Sequence, residues 1–200
     1  MAYSDFKLEQ VVEQFDLHQT GGLLFDEAEA IAPSSWLTET LASCQLFGLH
    51  SGSEKARSEF IVAPILVDIS RRNPDQFKIY SGKSLDVDKQ LGLNGECDFL
   101  ISRDAGSRII QAPLISVVEA KRQDIEIGLG QCSAQMVGTQ RFNQQRDSAY
   151  DAVYGCVTTG ELWQFLKLER QSLIIEDRSY ALAAEIAKVL GIFQFILDQF

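Results

Sequence analysis

Two short segments of this chain carry charge at positions where a buried strand would be apolar. Residues 95–101 are Gly-Glu-Cys-Asp-Phe-Leu-Ile, and residues 117–121 are Val-Val-Glu-Ala-Lys. Successive side chains of a strand point to opposite faces, so the first segment, as a strand, places Glu96 and Asp98 on one face. The pattern predicts two strands that each present charge to a single side.

The same alternation places Glu119 and Lys121 on one face of the second strand. If the two strands pair, three carboxylates and one ammonium group converge on a small patch. Neighbouring buried carboxylates repel one another, so such a patch requires a cation. Oxygen ligands favour a hard ion, Mg²⁺ or Mn²⁺. A divalent metal beside a lysine suits the hydrolysis of a phosphodiester.

Composition predicts an ordinary globular protein of one domain. The chain has 200 residues, of which 46% are hydrophobic. No apolar run approaches the roughly 20 residues of a membrane-spanning helix, and we expect no leader peptide from the N-terminal sequence. The cysteines are widely spaced, which argues against a zinc site and favours reduced thiols in a cytoplasmic protein. They are Cys44, Cys97, Cys132 and Cys156.

The formal net charge of −10 counts against non-specific binding to nucleic acid, which depends on basic surface. The acidic residues are unevenly distributed. Residues 1–50 contain eight acids and one base, Lys7, whereas residues 51–200 contain twenty acids and seventeen bases. Some of those twenty acids would be metal ligands. The objection to a nucleic-acid substrate is therefore weaker than the total charge suggests.

The order of predicted elements indicates an α/β/α sandwich with a central mixed β-sheet flanked by helices. Periodicity predicts helices at 5–16, 36–47, 54–72, 128–144 and 182–200. Strands are predicted at 77–81, 95–103, 114–121, 152–159 and 163–169. We divide the single domain into an N-terminal helical extension (1–50), a core (51–170) and a C-terminal helix (171–200). Pro64 is expected to kink or split the third helix.

Three further polar residues occupy positions that bear on the charged strands. Glu59 lies one turn before Val62 on the apolar face of the third helix, which predicts that its carboxylate points toward the core. Gln131 and Gln135 are one turn apart on the helix that follows the second charged strand. The regular helical phase therefore predicts an inward carboxylate at Glu59 and a shared helix face for Gln131 and Gln135.

These features together resemble the PD-(D/E)XK nuclease superfamily. The segment with Asp98 is similar to the strand that carries the family's first aspartate, and Glu119-Ala120-Lys121 is similar to its E-x-K motif. The likeness is to the N-terminal nuclease-like region of type I restriction motor subunits and to small stand-alone relatives. It covers about residues 51–170. The resemblance implies a restriction-endonuclease-like fold with extra N-terminal helices.

The resemblance also implies a metal site. Asp98 and Glu119 would hold Mg²⁺ or Mn²⁺, and Glu59 looks like the upstream helical glutamate that completes the site in part of the superfamily. Lys121 would orient the attacking water or stabilise the transition state. Cys97 stands where the family often has proline.

The glutamine helix matches the family's pattern less closely. The family often shows Gln-x₃-Tyr, whereas Gln131 is followed at that spacing by Gln135, and Gln135 by Thr139. Which glutamine would position the water or a phosphate oxygen is left open.

Two functions follow from these observations. One is Mg²⁺-dependent hydrolysis of nucleic acid, most simply DNA, with a protein partner supplying DNA affinity. The other is a nuclease-fold interaction module that no longer cuts. Arginines at 103, 108, 122, 141 and 146 either line a nucleic-acid channel or are solvated charge. The sequence leaves open whether the chain forms a homodimer, and it predicts no membrane partner.

Overall fold

A seven-stranded mixed sheet forms the centre of the protein. The computed structural model describes residues 1–103, 106, 109–121 and 124–200. The strand order across the sheet is β1-β7-β6-β5-β4-β3-β2. The strands are β1 (His18–Gly22), β2 (Lys78–Ser84), β3 (Glu96–Ser102), β4 (Leu114–Ala120), β5 (Ala152–Thr158), β6 (Leu162–Glu169) and β7 (Ser172–Ala181). Two neighbouring pairs are parallel, β1 with β7 and β4 with β5, and the other pairs are antiparallel.

Helices flank this sheet, as expected for an α/β protein. They are α1 (Leu8–Gln14), α2 (Ser35–His50), α3 (Glu54–Arg57), α4 (Ala63–Arg72), α5 (Ile125–Gln144) and α6 (Leu182–Leu197). One apolar core contains buried residues of α2, α4 and α6, and a second contains those of α1 and α5. Within the described ranges, no helix has the length and apolar character needed to cross a membrane.

The two charged segments form the adjacent strands β3 and β4. They pair antiparallel, with Phe99 opposite Val118 and Leu100 opposite Val117. Every residue of β4 is buried, which explains its nearly continuous apolar sequence. The charged ends of the two strands therefore meet beyond the Phe99–Val118 pair, as the sequence predicts.

Two neighbouring strands, β1 and β7, differ from the sequence-based expectation. Residues 1–50 are not helical throughout, because residues 18–22 form β1 alongside β7. Residues 171–200 likewise contain β7 before the final helix. The prediction failed at β1 because two glycines in five residues are typical of a turn. A Cβ at Gly21 would meet the exposed Asp177 carboxylate, which would have to shift.

The expected helix at 54–72 is split into three parts around Pro64. Helix α3 is followed by a π-helical turn at Ser58–Val62 and then by α4. The amide of Ala63 donates to the carbonyl of Ser58, five residues back. Such a wide turn accommodates a proline that cannot donate a hydrogen bond. It also rotates the residues before Pro64 relative to those after it.

Candidate active site

Asp98 lies where β3 and β4 stop pairing as a regular ladder. Its Oδ2 accepts a hydrogen bond of 2.8 Å from the amide of Ala120. The amide of the next residue, Lys121, bonds instead to the carbonyl of Thr158 on the β5 side, at 2.7 Å. The side chain of Asp98 thus replaces a backbone acceptor at the end of the sheet, which fixes its carboxylate beside β4.

Glu119 and Lys121 form a buried pair that a glutamine completes. The Lys121 ammonium donates to Glu119 Oε1 at 2.9 Å and to Gln131 Oε1 at 2.8 Å. The amide of Gln131 donates to the same Glu119 oxygen at 2.6 Å. The side chains of Lys121 and Glu119 are only 11% and 4% exposed. The three groups therefore form a closed triangle of charge-assisted hydrogen bonds.

Gln135 binds the other oxygen of the same carboxylate. Its Nε2 donates to Glu119 Oε2 at 2.9 Å, so both predicted glutamines contact Glu119 from successive turns of α5. Its own Oε1 is buried, with no hydrogen-bond partner within the described part of the chain. We call Asp98, Glu119, Lys121, Gln131 and Gln135 the carboxylate cluster.

Both acids of the cluster hold their protons more tightly than usual. Burial raises the pKa of Glu119 to about 7, with a further contribution from the charge of Asp98, although Lys121 and Gln135 oppose the shift. Burial also raises the pKa of Asp98 against the opposing effects of the Ala120 amide and Lys121. Burial alone would lower the pKa of Lys121, but the charge and hydrogen bond of Glu119 raise it. The two carboxyl groups are thus desolvated beside a single ammonium group.

The raised pKa of Glu119 predicts a specific loss of stability with rising pH. The ordinary pKa of a glutamate side chain is 4.5 and the folded value here is about 7, so the folded protein binds more protons between these values. Stability is then fully present below pH 4.5 and falls as pH rises through 7, by about 3 kcal/mol. Urea unfolding of the wild type and Glu119→Gln from pH 4 to 8 measures this. If the free energy of unfolding changed with pH in the same way in both proteins, the raised pKa would not belong to Glu119.

Glu59 does not point toward the core, contrary to the prediction. Its side chain is 55% exposed and lies 3.6 Å from Lys55 Nζ. The π-helical turn rotates Glu59 away from the face that buries Val62, so the regular helical phase assumed from the sequence does not apply. Glu54 instead lines the same cavity as Lys121. Its negative charge contributes to the raised pKa values of both Asp98 and Lys121.

A cavity of about 690 Å³ opens beside Lys121 and Gln131. One wall is the N-terminal segment 4–9, which the sequence left without a role. This segment crosses α5 at Gly130, where a Cβ would lie 2.6 Å from the carbonyl carbon of Lys7. Only glycine permits that approach. The glycines of α5 were thus the sequence signal for this wall.

Acidic residues dominate the rim of this cavity. Its described lining includes four acids, Asp5, Glu9, Glu54 and Glu126, against the two lysines at 7 and 121. Neither Asp98 nor Glu119 belongs to that lining. Nucleic-acid phosphates prefer basic surface, so the cavity as it stands opposes a polyanion unless cations offset its charge.

The described arginines of the candidate channel stack on aromatic rings. Arg103 stacks on Phe77, and Arg146 stacks on Phe142. Arg141 stacks on Phe15 and lies 3.9 Å from Asp88. None of these three belongs to the described lining of the cavity. Arg108 and Arg122, the other two candidates for a channel, lie outside the described residues.

Glu96 is exposed at the outer end of β3. Its charge still contributes to the raised pKa of Asp98, and its backbone carbonyl lies 3.5 Å from the Nε2 of Gln135. The side chain therefore borders the cluster and has no direct bond to it among the described contacts.

The donor set of the cluster fits a divalent cation in chemistry and number. Mg²⁺ commonly binds through one or two carboxylates and retains several waters, and Asp98 and Glu119 supply two. Burial is the main cause of their raised pKa values, so a cation beside them would stabilise the ionised forms. The predicted three-carboxylate site with Glu59 is not formed. Among the residues that the structure describes, no three acidic, cysteine or histidine side chains are grouped around a common metal position.

Comparison with known proteins adds no family assignment. No protein-family model matches the sequence, and no curated protein is significantly similar to it. The carboxylate cluster is therefore the feature of this chain that bears most directly on its function.

Proposed function

We propose that this protein is a divalent-metal-dependent phosphodiesterase that cuts nucleic acid, most simply DNA, on a restriction-endonuclease-like fold. The observation that carries the proposal is the carboxylate cluster itself. Two carboxylates with raised pKa values lie at the ends of adjacent strands, next to a buried lysine and a cavity. Perturbed groups of this kind beside a cavity are typical of active sites.

Asp98 and Glu119 would hold Mg²⁺ or Mn²⁺. When bound, the ion lowers the pKa of a coordinated water and offsets charge on the phosphate. Glu54 lines the cavity together with Lys121, so we place its charge near the metal position without making it a ligand, and the exposed Glu59 is left out of the site.

Lys121 supplies the positive charge that the protein itself brings to the reaction. Its ammonium lines the cavity and is held in place by Glu119 and Gln131. A fixed cation in a water-poor site stabilises the charge that develops on a phosphate oxygen in the transition state. Gln131 and Gln135 position Glu119 from α5, so their role is to keep its two oxygens oriented.

The acidic rim indicates weak affinity of this chain alone for a polyanion. Metal ions offset part of that charge, and a partner protein with basic surface would supply the remainder. The same rim favours a second candidate, an interaction module without catalysis. In that case the bond from Lys121 to Glu119 is purely structural, since the ammonium already occupies one carboxylate oxygen.

A cleavage assay separates the two functions. Purified protein is incubated with labelled single-stranded and duplex DNA in Mg²⁺, Mn²⁺ or EDTA. We expect metal-dependent cleavage that EDTA stops. Absence of cleavage at high protein concentration in either metal would favour the interaction module.

The assignment of Glu54 over Glu59 predicts different effects of two matched variants. Glu54→Gln is expected to raise the Mg²⁺ concentration for half-maximal cleavage by about tenfold, because it removes negative charge near the metal position. Glu59→Gln removes only an exposed ion pair with Lys55 and should leave that concentration unchanged. If Glu59→Gln raised the required Mg²⁺ concentration and Glu54→Gln did not, Glu59 and not Glu54 would belong to the site.

A further inference from the structure

Arg57 is a buried cation whose partners among the described residues are incomplete. Its side chain is 9% exposed, and its Nη1 donates to the carbonyl of Thr159. The nearest carboxylate, Glu161, lies 3.6 Å away and is itself 60% exposed. Arg57 Nε is buried with no hydrogen-bond partner within the described part of the chain. A buried guanidinium with so loose a counter-ion is costly, which points to an anion that completes it.

A second cavity, of about 760 Å³, provides room for such an anion. Arg57 lies in its wall together with Gln45 and Ser179, which can donate hydrogen bonds, and with the carboxylates of Glu126 and Glu161. Leu162 contributes apolar surface. The volume is within the range of about 300–1,000 Å³ that is typical of small-ligand sites.

The second cavity adjoins the cavity beside Lys121. Both are lined by Glu126, in the first turn of α5, so they share a border at the start of this helix. The partial positive charge at the N-terminal end of this 20-residue helix is offset by the Asp124 cap and by Glu126 in the first turn, so Arg57 supplies the cationic charge of this cavity. A chain of phosphates that places one phosphate beside Lys121 would thus have a second cationic position within the adjoining cavity.

We propose that Arg57 forms a phosphate-binding subsite, which holds a phosphate of the nucleic acid other than the one that is cut. This inference rests on the proposed function and names where its substrate binds. Arginine suits the role because its planar fork binds phosphate oxygens in pairs. Glu161 occupies the position of the anion when substrate is absent, and its exposure lets it move away.

Two variants with opposite expected effects test the subsite. Binding of fluorescein-labelled single-stranded DNA is measured by anisotropy over a series of NaCl concentrations, with Ca²⁺ replacing Mg²⁺. Arg57→Gln is expected to weaken binding and to reduce the slope of log K against log[salt] by about 0.7, the loss of one phosphate contact. Glu161→Gln is expected to bind about twofold to fivefold more tightly, because an exposed competing carboxylate is removed.

The control is Glu169→Gln, an exposed acid paired with Lys167 at the opposite end of β6, which should bind like the wild type. If Arg57→Gln does not fold, DNA binding by Glu161→Gln alone decides whether the subsite exists. Wild-type cleavage and binding together with unchanged binding by Glu161→Gln would overturn the subsite and leave the proposed function intact. A wild type that neither binds nor cuts DNA would overturn both.

Discussion

Replacement of Asp98 by asparagine is expected to reduce metal-dependent cleavage by more than about a hundredfold while it preserves or increases stability. The asparagine Oδ1 still accepts from the Ala120 amide, so the end of β3 stays in place. One of two mutually repelling carboxylates is lost, however, and the charge of Asp98 contributes to the raised pKa of Glu119. That pKa should therefore fall below about 7.

We expect the gain in stability to be about 1 kcal/mol at pH 8, because the repulsion between the two carboxylates is then removed. Urea unfolding and cleavage are measured on the same preparation. Asp151→Asn is the control, because it removes an exposed acid that pairs with Arg170. If Asp98→Asn lost as much stability as a core mutation does, the role of Asp98 would be structural. If the variant cleaved DNA at the wild-type rate, Asp98 would not belong to the active site.

Replacement of Lys121 by methionine is expected to damage both activity and stability. The change deletes the ammonium that Glu119 and Gln131 share. Loss of one member of a buried ion pair costs about 3–5 kcal/mol, because the other charge is left uncompensated. Cleavage should fall by about 10²–10³-fold, the usual effect of losing one transition-state donor.

The destabilisation by Lys121→Met should itself depend on pH. Lys121 lowers the pKa of Glu119, so in the variant that pKa rises above its present value of about 7. At pH 5 the Glu119 carboxyl of the variant is protonated and needs no counter-ion. At pH 8 the same carboxyl is either ionised without a counter-ion or protonated against the pH of the solution, and both states cost free energy. Unfolding at both pH values gives the difference, with Lys55→Met as the exposed-pair control. Equal destabilisation at pH 5 and pH 8 would contradict the pairing.

Much of the site was predictable because the side chains of β3 and β4 alternate between the two faces of the sheet, as the sequence pattern indicates. The charged strands β3 and β4 pair as neighbours, and Gln131 and Gln135 face Glu119 from successive turns of α5. Each of these relations depends only on local periodicity and on the adjacency of consecutive strands.

The errors arose where local periodicity does not decide the structure. A π-helical turn before Pro64 left Glu59 exposed, where the regular helix assumed from the sequence predicted that it would point toward the core. Glycine at position 21 concealed strand β1, whose partner β7 lies about 150 residues further along the chain. The packing of the N-terminal segment on Gly130 is likewise a tertiary contact between distant residues, which a turn-and-period analysis of one sequence does not contain.

The most direct test of the central claim is calorimetric titration of the protein with Mn²⁺, with and without a DNA duplex, compared between the wild type and Asp98→Asn. We expect saturable binding by the wild type, strengthened by DNA, with proton release at pH 6–7 as the metal displaces protons from carboxyls of raised pKa. Asp98→Asn should lose that binding. No binding by the wild type at millimolar Mn²⁺, even with DNA present, would contradict the metal-dependent mechanism and leave the carboxylate cluster a structural feature.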